Sequence, residues 1–193
     1  MPRHQVPPDE WQYRDRSSDQ VRGTLLRLTR DFVLASRQIR GVIRIALFGS
    51  LATSKARPKD ADVLVSIRPP LDLAPLARLA RRFQGRAQGI NSTADVFLAT
   101  PEGEYLGRVC HYRECYRRRS CRARNCGTWP HLNDDLDVVA LPDSIVVEPP
   151  LVLHPTIMAA ATVPDDIVDL LLAPGVVPSN SPRSCSDHSA LAL

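Results

Sequence analysis

Two carboxylates and a Gly-Ser pair are spaced in a way that suits phosphate chemistry. An apolar run ends at Gly49-Ser50, and after nine intervening residues Asp60 and Asp62 open a second apolar run. Alternate residues of a strand share a face, so the two carboxylates are expected to project side by side. Paired carboxylate oxygens suit Mg²⁺, which binds through one or two carboxylates plus substrate phosphates. Glycine permits a close backbone approach, and N–H groups at a helix start attract phosphate.

Hydrophobic periodicity predicts the elements that position these groups. Apolar residues spaced by three or four predict helices, and near-continuous apolar runs predict buried strands. The predicted order is helix 19–40, strand 42–48, a short helix after the Gly-Ser pair, strand 61–67, helix 73–83 and strand 94–99. This order predicts an α/β (α+β) fold, in which a small sheet of mixed strand directions is flanked by helices.

The same residues resemble the nucleotidyltransferase superfamily that includes DNA polymerase beta, and especially its minimal single-domain members. In that family an apolar residue and a Gly-Ser or Gly-Gly pair precede an acidic pair by nine to thirteen residues. A third carboxylate follows on a neighbouring strand, and Asp95 in Ala94-Asp95-Val96-Phe97-Leu98 matches it. The resemblance covers roughly residues 20–100.

The resemblance implies a magnesium-dependent transferase that moves a nucleoside monophosphate from a nucleoside triphosphate to a hydroxyl of a protein, an RNA or a small molecule. It implies that Asp60, Asp62 and Asp95 hold Mg²⁺, with Asp95 also acting as base on the acceptor. Gly49 and Ser50 would hold the triphosphate, and Lys55, Arg57 or Lys59 would neutralise its charge. Minimal members often serve as antitoxins that modify a partner toxin. The alternative is a catalytically degenerate binding protein of antitoxin or nucleic-acid-binding type.

A second group of residues is rich in cysteine. Four cysteines with gaps of four, five and four residues, and flanked by His111 and His131, suggest one Zn²⁺ site: Cys110, Cys115, Cys121 and Cys126. Ordinary thiols and redox-active thiols stay open as alternatives. Seven arginines lie between residues 108 and 124. They indicate either a surface for RNA or an acidic protein, or a solvated basic loop.

Composition sets the expected organisation of the 193-residue chain. We expect a nucleotidyltransferase-like domain at 19–106, a Cys/Arg-rich appendage that forms a zinc module at 107–140, and a C-terminal extension at 141–173. The Pro/Ser-rich composition of residues 174–193 predicts a disordered tail. The start of the chain lacks the apolar region of a signal peptide, and no run of about 18 apolar residues occurs. These features predict a cytoplasmic protein without a membrane partner.

Overall fold

A computed structural model describes residues 18–114 and 129–172 of the chain. Its centre is a seven-stranded sheet with the strand order β5-β4-β3-β2-β1-β6-β7. The strands are β1 (Val42–Phe48), β2 (Asp60–Ile67), β3 (Thr93–Ala99), β4 (Tyr105–Val109), β5 (Leu132–Asn133), β6 (Leu151–His154) and β7 (Met158–Ala159). Strands β2 and β3 are parallel, and the other neighbouring pairs are antiparallel. The predicted α/β class with mixed strand directions is confirmed.

Four helices accompany this sheet: α1 (Ser18–Ser36), α2 (Ala74–Gln88), α3 (Asp143–Val147) and α4 (Asp165–Leu170). Helix α1 ends at Ser36 rather than at residue 40, because the following residues form tight turns that lead to Gly41 at φ 98°. Helix α2 extends beyond residue 83, because Gln84 and Ala87 continue its buried face. Phe32 and Phe83 stack between α1 and α2, with ring centroids 5.2 Å apart.

The short helix predicted after the Gly-Ser pair is present as a 3-10 helix of three residues. The chain makes a single 3-10 turn, Ser50–Ala52, and the next residue, Thr53, returns to an extended conformation at φ −107° and ψ 178°. Three residues cannot build the aligned peptide dipoles of a longer helix. The attraction of phosphate to a helix start therefore does not apply here, and any phosphate binding must come from the backbone of the turn and from neighbouring charges.

The sheet has two differently covered faces. Helices α1, α2 and α4 pack on one face, where Leu25, Phe83 and Ile167 join the main apolar core. On the other face a smaller cluster that includes Phe48, Leu64 and Ala99 packs against α3. Side chains of a strand alternate between faces, so Asp60 and Asp62 lie on the same face as Leu64. The carboxylates therefore occupy the face opposite the three helices.

The C-terminal half of the chain contributes to the same sheet. The predicted domain boundary at residue 107 falls within β4, and β6, from the predicted extension, pairs with β1. Strands β6 and β7 both lie within the predicted C-terminal extension, residues 141–173. Helix α4 begins at Asp165, directly after Pro164. Residues 1–17, 115–128 and 173–193, which include three of the four predicted zinc ligands and the predicted tail, lie outside the described residues. Among the described helices, none has the length and apolar character needed to cross a membrane.

Candidate active site

Two parallel strands bring the three predicted carboxylates together. In the β2–β3 register Asp62 lies directly opposite Asp95, and Asp60 lies opposite Thr93. Directly paired residues project from the same face of a sheet, as do alternate residues of one strand. Asp60, Asp62 and Asp95 therefore share one face at the same end of adjacent strands. The juxtaposition expected from the sequence is present.

The Gly-Ser pair lies against this carboxylate cluster. Gly49 has φ 71° and ψ −159°, and a Cβ built on it would collide with Oδ2 of Asp62. A backbone with positive φ is strained for other residues, so the conformation favours glycine, and a larger residue would also displace the Asp62 carboxylate. The Ser50 hydroxyl donates a hydrogen bond to Oδ1 of Asp60 at 3.2 Å. One turn thus touches both carboxylates of β2.

Asp62 carries the clearest electrostatic sign of an assembled acidic site. Partial burial and, to a smaller extent, repulsion from Asp60 and Asp95 raise the pKa of Asp62 to about 7. Like charges close together make ionisation costly, and a bound cation would relieve that cost. Asp62 is therefore poised to bind a proton or a cation near neutral pH.

Asp95 has partners that the sequence did not suggest. His111 Nε2 lies 2.7 Å from Oδ1 of Asp95, and the Arg108 guanidinium lies 3.4 Å from the same oxygen. Burial alone would raise the pKa of Asp95. The hydrogen bond from His111 and the charges of Arg108 and His111 outweigh burial and hold that pKa below its usual value. The two neighbouring carboxylates consequently have opposite pKa shifts.

Glu114 completes the surroundings of Asp95. It accepts a hydrogen bond from Arg108 at 2.8 Å and another from the backbone N–H of His111 at 2.8 Å. Burial opposes ionisation of Glu114, but these bonds and the nearby positive charges hold its pKa below the usual value. In the sequence Arg108 appeared as part of a basic run, and His111 as a neighbour of the cysteines. The signal that could have separated Arg108 is its place in a short run of otherwise uncharged residues, Tyr105–Val109.

The predicted phosphate-binding lysines lie beside the cluster without completing it. Lys55 and Lys59 are exposed in the loop that joins the 3-10 turn to β2. Neither ammonium group forms an ion pair with a described residue. The Lys55 carbonyl oxygen accepts a hydrogen bond from Arg22 at 2.9 Å, so the backbone of this loop is held while the lysine side chains face solvent.

Of the three carboxylates, Asp60 and Asp62 are the best suited to bind one hard cation. These two carboxylates provide the oxygen ligands that Mg²⁺ prefers, and their mutual repulsion with Asp95 favours a positive ion. Asp95 already shares one of its oxygens between Arg108 and His111. Across residues 18–114 and 129–172, no three His, Cys, Asp or Glu side chains converge as a ready metal-ligand group.

Only one of the four predicted zinc ligands lies among the described residues, so their arrangement cannot be compared with the prediction. Cys110 is buried at the end of β4, and its backbone N–H donates to the carbonyl of His131 at 2.8 Å. Cys115, Cys121 and Cys126 lie outside the described residues. The zinc site therefore stays a prediction.

Comparison with known proteins adds no relative. The chain matches no protein-family model, no curated protein and no solved structure. The functional interpretation must therefore depend on the geometry of the carboxylate cluster.

Proposed function

We propose that this chain is a magnesium-dependent nucleotidyltransferase that transfers a nucleoside monophosphate from a nucleoside triphosphate to a hydroxyl group of a protein, an RNA or a small molecule. The observation that carries the proposal is the close approach of Gly49 to Asp62. A glycine backbone in contact with one of three clustered carboxylates suits a site where phosphates and a cation meet. The resemblance of the Gly-Ser and Asp-x-Asp spacing to the nucleotidyltransferase superfamily supports the same reaction.

Some residues of the site would bind the nucleotide or the metal ion, and others would orient the binding residues. Gly49 allows phosphate oxygens to approach the backbone, and Ser50 orients Asp60 through its hydrogen bond. Asp60 and Asp62 would hold Mg²⁺, which when bound neutralises phosphate charge and stabilises the leaving pyrophosphate. Lys55 or Lys59 would reach the triphosphate from the adjoining loop.

Asp95 would orient the acceptor hydroxyl. Its lowered pKa keeps the carboxylate ionised at neutral pH, so it accepts a hydrogen bond well. A carboxylate with a low pKa is a weak general base, because the driving force for proton abstraction falls with the pKa. Orientation of the acceptor therefore suits Asp95 better than full removal of its proton.

The decisive experiment uses each nucleoside triphosphate labelled at the α-phosphate. The full chain is incubated with Mg²⁺, the labelled nucleotide and a cell lysate, and labelled proteins, RNAs and small molecules are separated. Asp60→Asn and Asp62→Asn should abolish labelling, whereas Asp169→Asn, an exposed aspartate on α4, should leave it unchanged. Equal labelling by all three variants would show that the reaction site lies elsewhere.

A second candidate function is a binding protein with a nucleotidyltransferase-like scaffold, of antitoxin or nucleic-acid-binding type. The pairing of Asp95 with Arg108 and His111 favours this candidate, because a carboxylate whose oxygen atoms are already held by other side chains is less available for catalysis. The wild-type chain would then bind Mg²⁺ and nucleotide through Asp60 and Asp62 but label no acceptor. Calorimetric titration with nucleotide, run beside the labelling assay, separates the two functions.

A further inference from the structure

Arg22 joins three segments that are far apart in the sequence. Its side chain leaves α1 and contacts Asp166 of α4 through Nε at 2.5 Å and through a second nitrogen at 3.0 Å. The third nitrogen donates to the Lys55 carbonyl oxygen at 2.9 Å. One guanidinium group thus links the N-terminal helix, the C-terminal helix and the loop beside the carboxylate cluster.

Burial makes these bonds obligatory. The Arg22 side chain carries a guanidinium cation and is only 5% exposed. A buried charge is tolerated only when it is paired and its donors are satisfied. The two-point contact with Asp166 also fixes the plane of the guanidinium, which points the remaining nitrogen at the loop.

Both ends of this connection are anchored in the main core. Leu25 and Leu26 fix α1, and Ile167 fixes α4, all with no exposed surface. Asp166 is adjacent to Ile167, so its carboxylate is held wherever α4 is docked. Undocking α4 would remove the carboxylate that balances the charge of Arg22.

The loop itself consists of exposed residues. Residues 53–57 are all exposed, and their local bonds are short-range. Thr53 donates to the Ser50 carbonyl at 2.9 Å and accepts from the Lys55 N–H at 3.3 Å. The Arg22 bond therefore connects this small hydrogen-bonded unit, which begins at the Gly-Ser turn, to the rigid helices.

We propose that Arg22 is a positioning residue through which docked α4 orders the loop at residues 53–57 and so places Lys55 beside the nucleotide phosphates. The ordering of the loop follows from the contacts of Arg22 alone, whereas the link to phosphate rests on the proposed function. Asp166 acts through Arg22, to which it is hydrogen-bonded. The order of a segment beside the site is then set by a helix about 110 positions further along the chain.

The test compares loop dynamics in matched variants of the full chain by ¹⁵N relaxation. Asp166→Asn and Arg22→Lys should lower the order parameters of residues 54–57 from about 0.85 to below about 0.6. Asp166→Glu keeps a carboxylate for Arg22 and should restore them. The control is Asp31→Asn, which breaks the exposed 2.7 Å pair between Asp31 and Arg86 on the same helical layer. It should leave the loop unchanged.

Nucleotide titration provides the second measurement. If a nucleoside triphosphate binds with Mg²⁺, Asp166→Asn should weaken its affinity about fivefold, the scale of one hydrogen bond, and Asp166→Glu should recover most of the loss. Unchanged order parameters in both Asp166→Asn and Arg22→Lys would overturn the positioning role. An equal loss of order in Asp31→Asn would also overturn it, because the effect would then be general loosening. Absence of nucleotide binding by the wild type would refute the proposed function, while the relaxation data would still decide the role of Arg22.

Discussion

Neutralising Asp62 should stabilise the metal-free protein above neutral pH. The carboxyl has a pKa of 3.8 when unperturbed and about 7 in the folded chain, so the folded state retains a proton that the unfolded state releases. Folding stability therefore falls as pH rises from about 4 to about 7, and it stays reduced above pH 7. Asp62→Asn removes this penalty, because the amide has no charge to bury beside Asp60 and Asp95.

The size of the effect follows from the same shift. A shift from 3.8 to about 7 would correspond to about 4 kcal/mol if no solvent reached the carboxyl. Asp62 is partly exposed, and solvent screening reduces the expected gain to about 1–2 kcal/mol. Urea denaturation with a chelator present should show this gain at pH 8 and little difference between Asp62→Asn and wild type at pH 4.

Two comparisons make the measurement specific. Asp169→Asn, which changes an exposed aspartate outside the cluster, should not alter the stability difference between pH 4 and pH 8. Millimolar Mg²⁺ should stabilise the wild type at pH 8 more than Asp62→Asn, because the ion relieves the repulsion that the substitution removes. If Asp62→Asn stabilises the protein equally at pH 4 and pH 8, repulsion among the carboxylates is not the cause and the electrostatic interpretation of the site fails.

Three further predictions address other parts of the molecule. Gly49→Ala should abolish nucleotide binding in calorimetric titration and lower the free energy of unfolding by about 1–2 kcal/mol, because the added methyl group meets Asp62 at a positive φ. Nucleotide binding of wild-type strength would contradict this prediction. Asp166→Ala should cost about 2 kcal/mol in urea denaturation by removing the carboxylate partner of buried Arg22, whereas Asp31→Ala, in an exposed pair, should cost less than about 1 kcal/mol, and equal losses would refute the distinction. Elemental analysis should find about one zinc per chain if the four cysteines bind it, and a zinc-free folded protein would favour ordinary thiols.

The sequence was sufficient wherever a pattern was local and continuous. Strand β1 was predicted with its observed bounds, because its seven residues are almost all apolar and Gly49 ends the run. The clustering of Asp60, Asp62 and Asp95 was also predictable. It needs only strand alternation and the pairing of β2 with β3, and the Gly-Ser spacing singled out these carboxylates among the many in the chain.

The sequence did not predict the role of a side chain whose partners are distant in the chain, or of one that lies among many residues of the same type. Arg108 lies among seven arginines, and only the pairing of β4 with β3 shows that it faces Asp95. Arg22 reads as an ordinary surface position of α1, because its partners are 33 and 144 residues away. Strand β6 has only four residues between prolines, and its strand conformation depends on hydrogen bonds to β1.

The pairing of β6 with β1 has a consequence for the synthesis of the chain on the ribosome. In the finished sheet β1 is an interior strand, but its partner on one side is made about 100 residues later. Until then one edge of an apolar strand with the sequence Val-Ile-Arg-Ile-Ala-Leu-Phe carries unsatisfied backbone groups, and such edges invite pairing with other chains. Nascent or truncated chains that end before residue 151 should therefore aggregate or recruit chaperones, even though they already contain Asp60, Asp62 and Asp95.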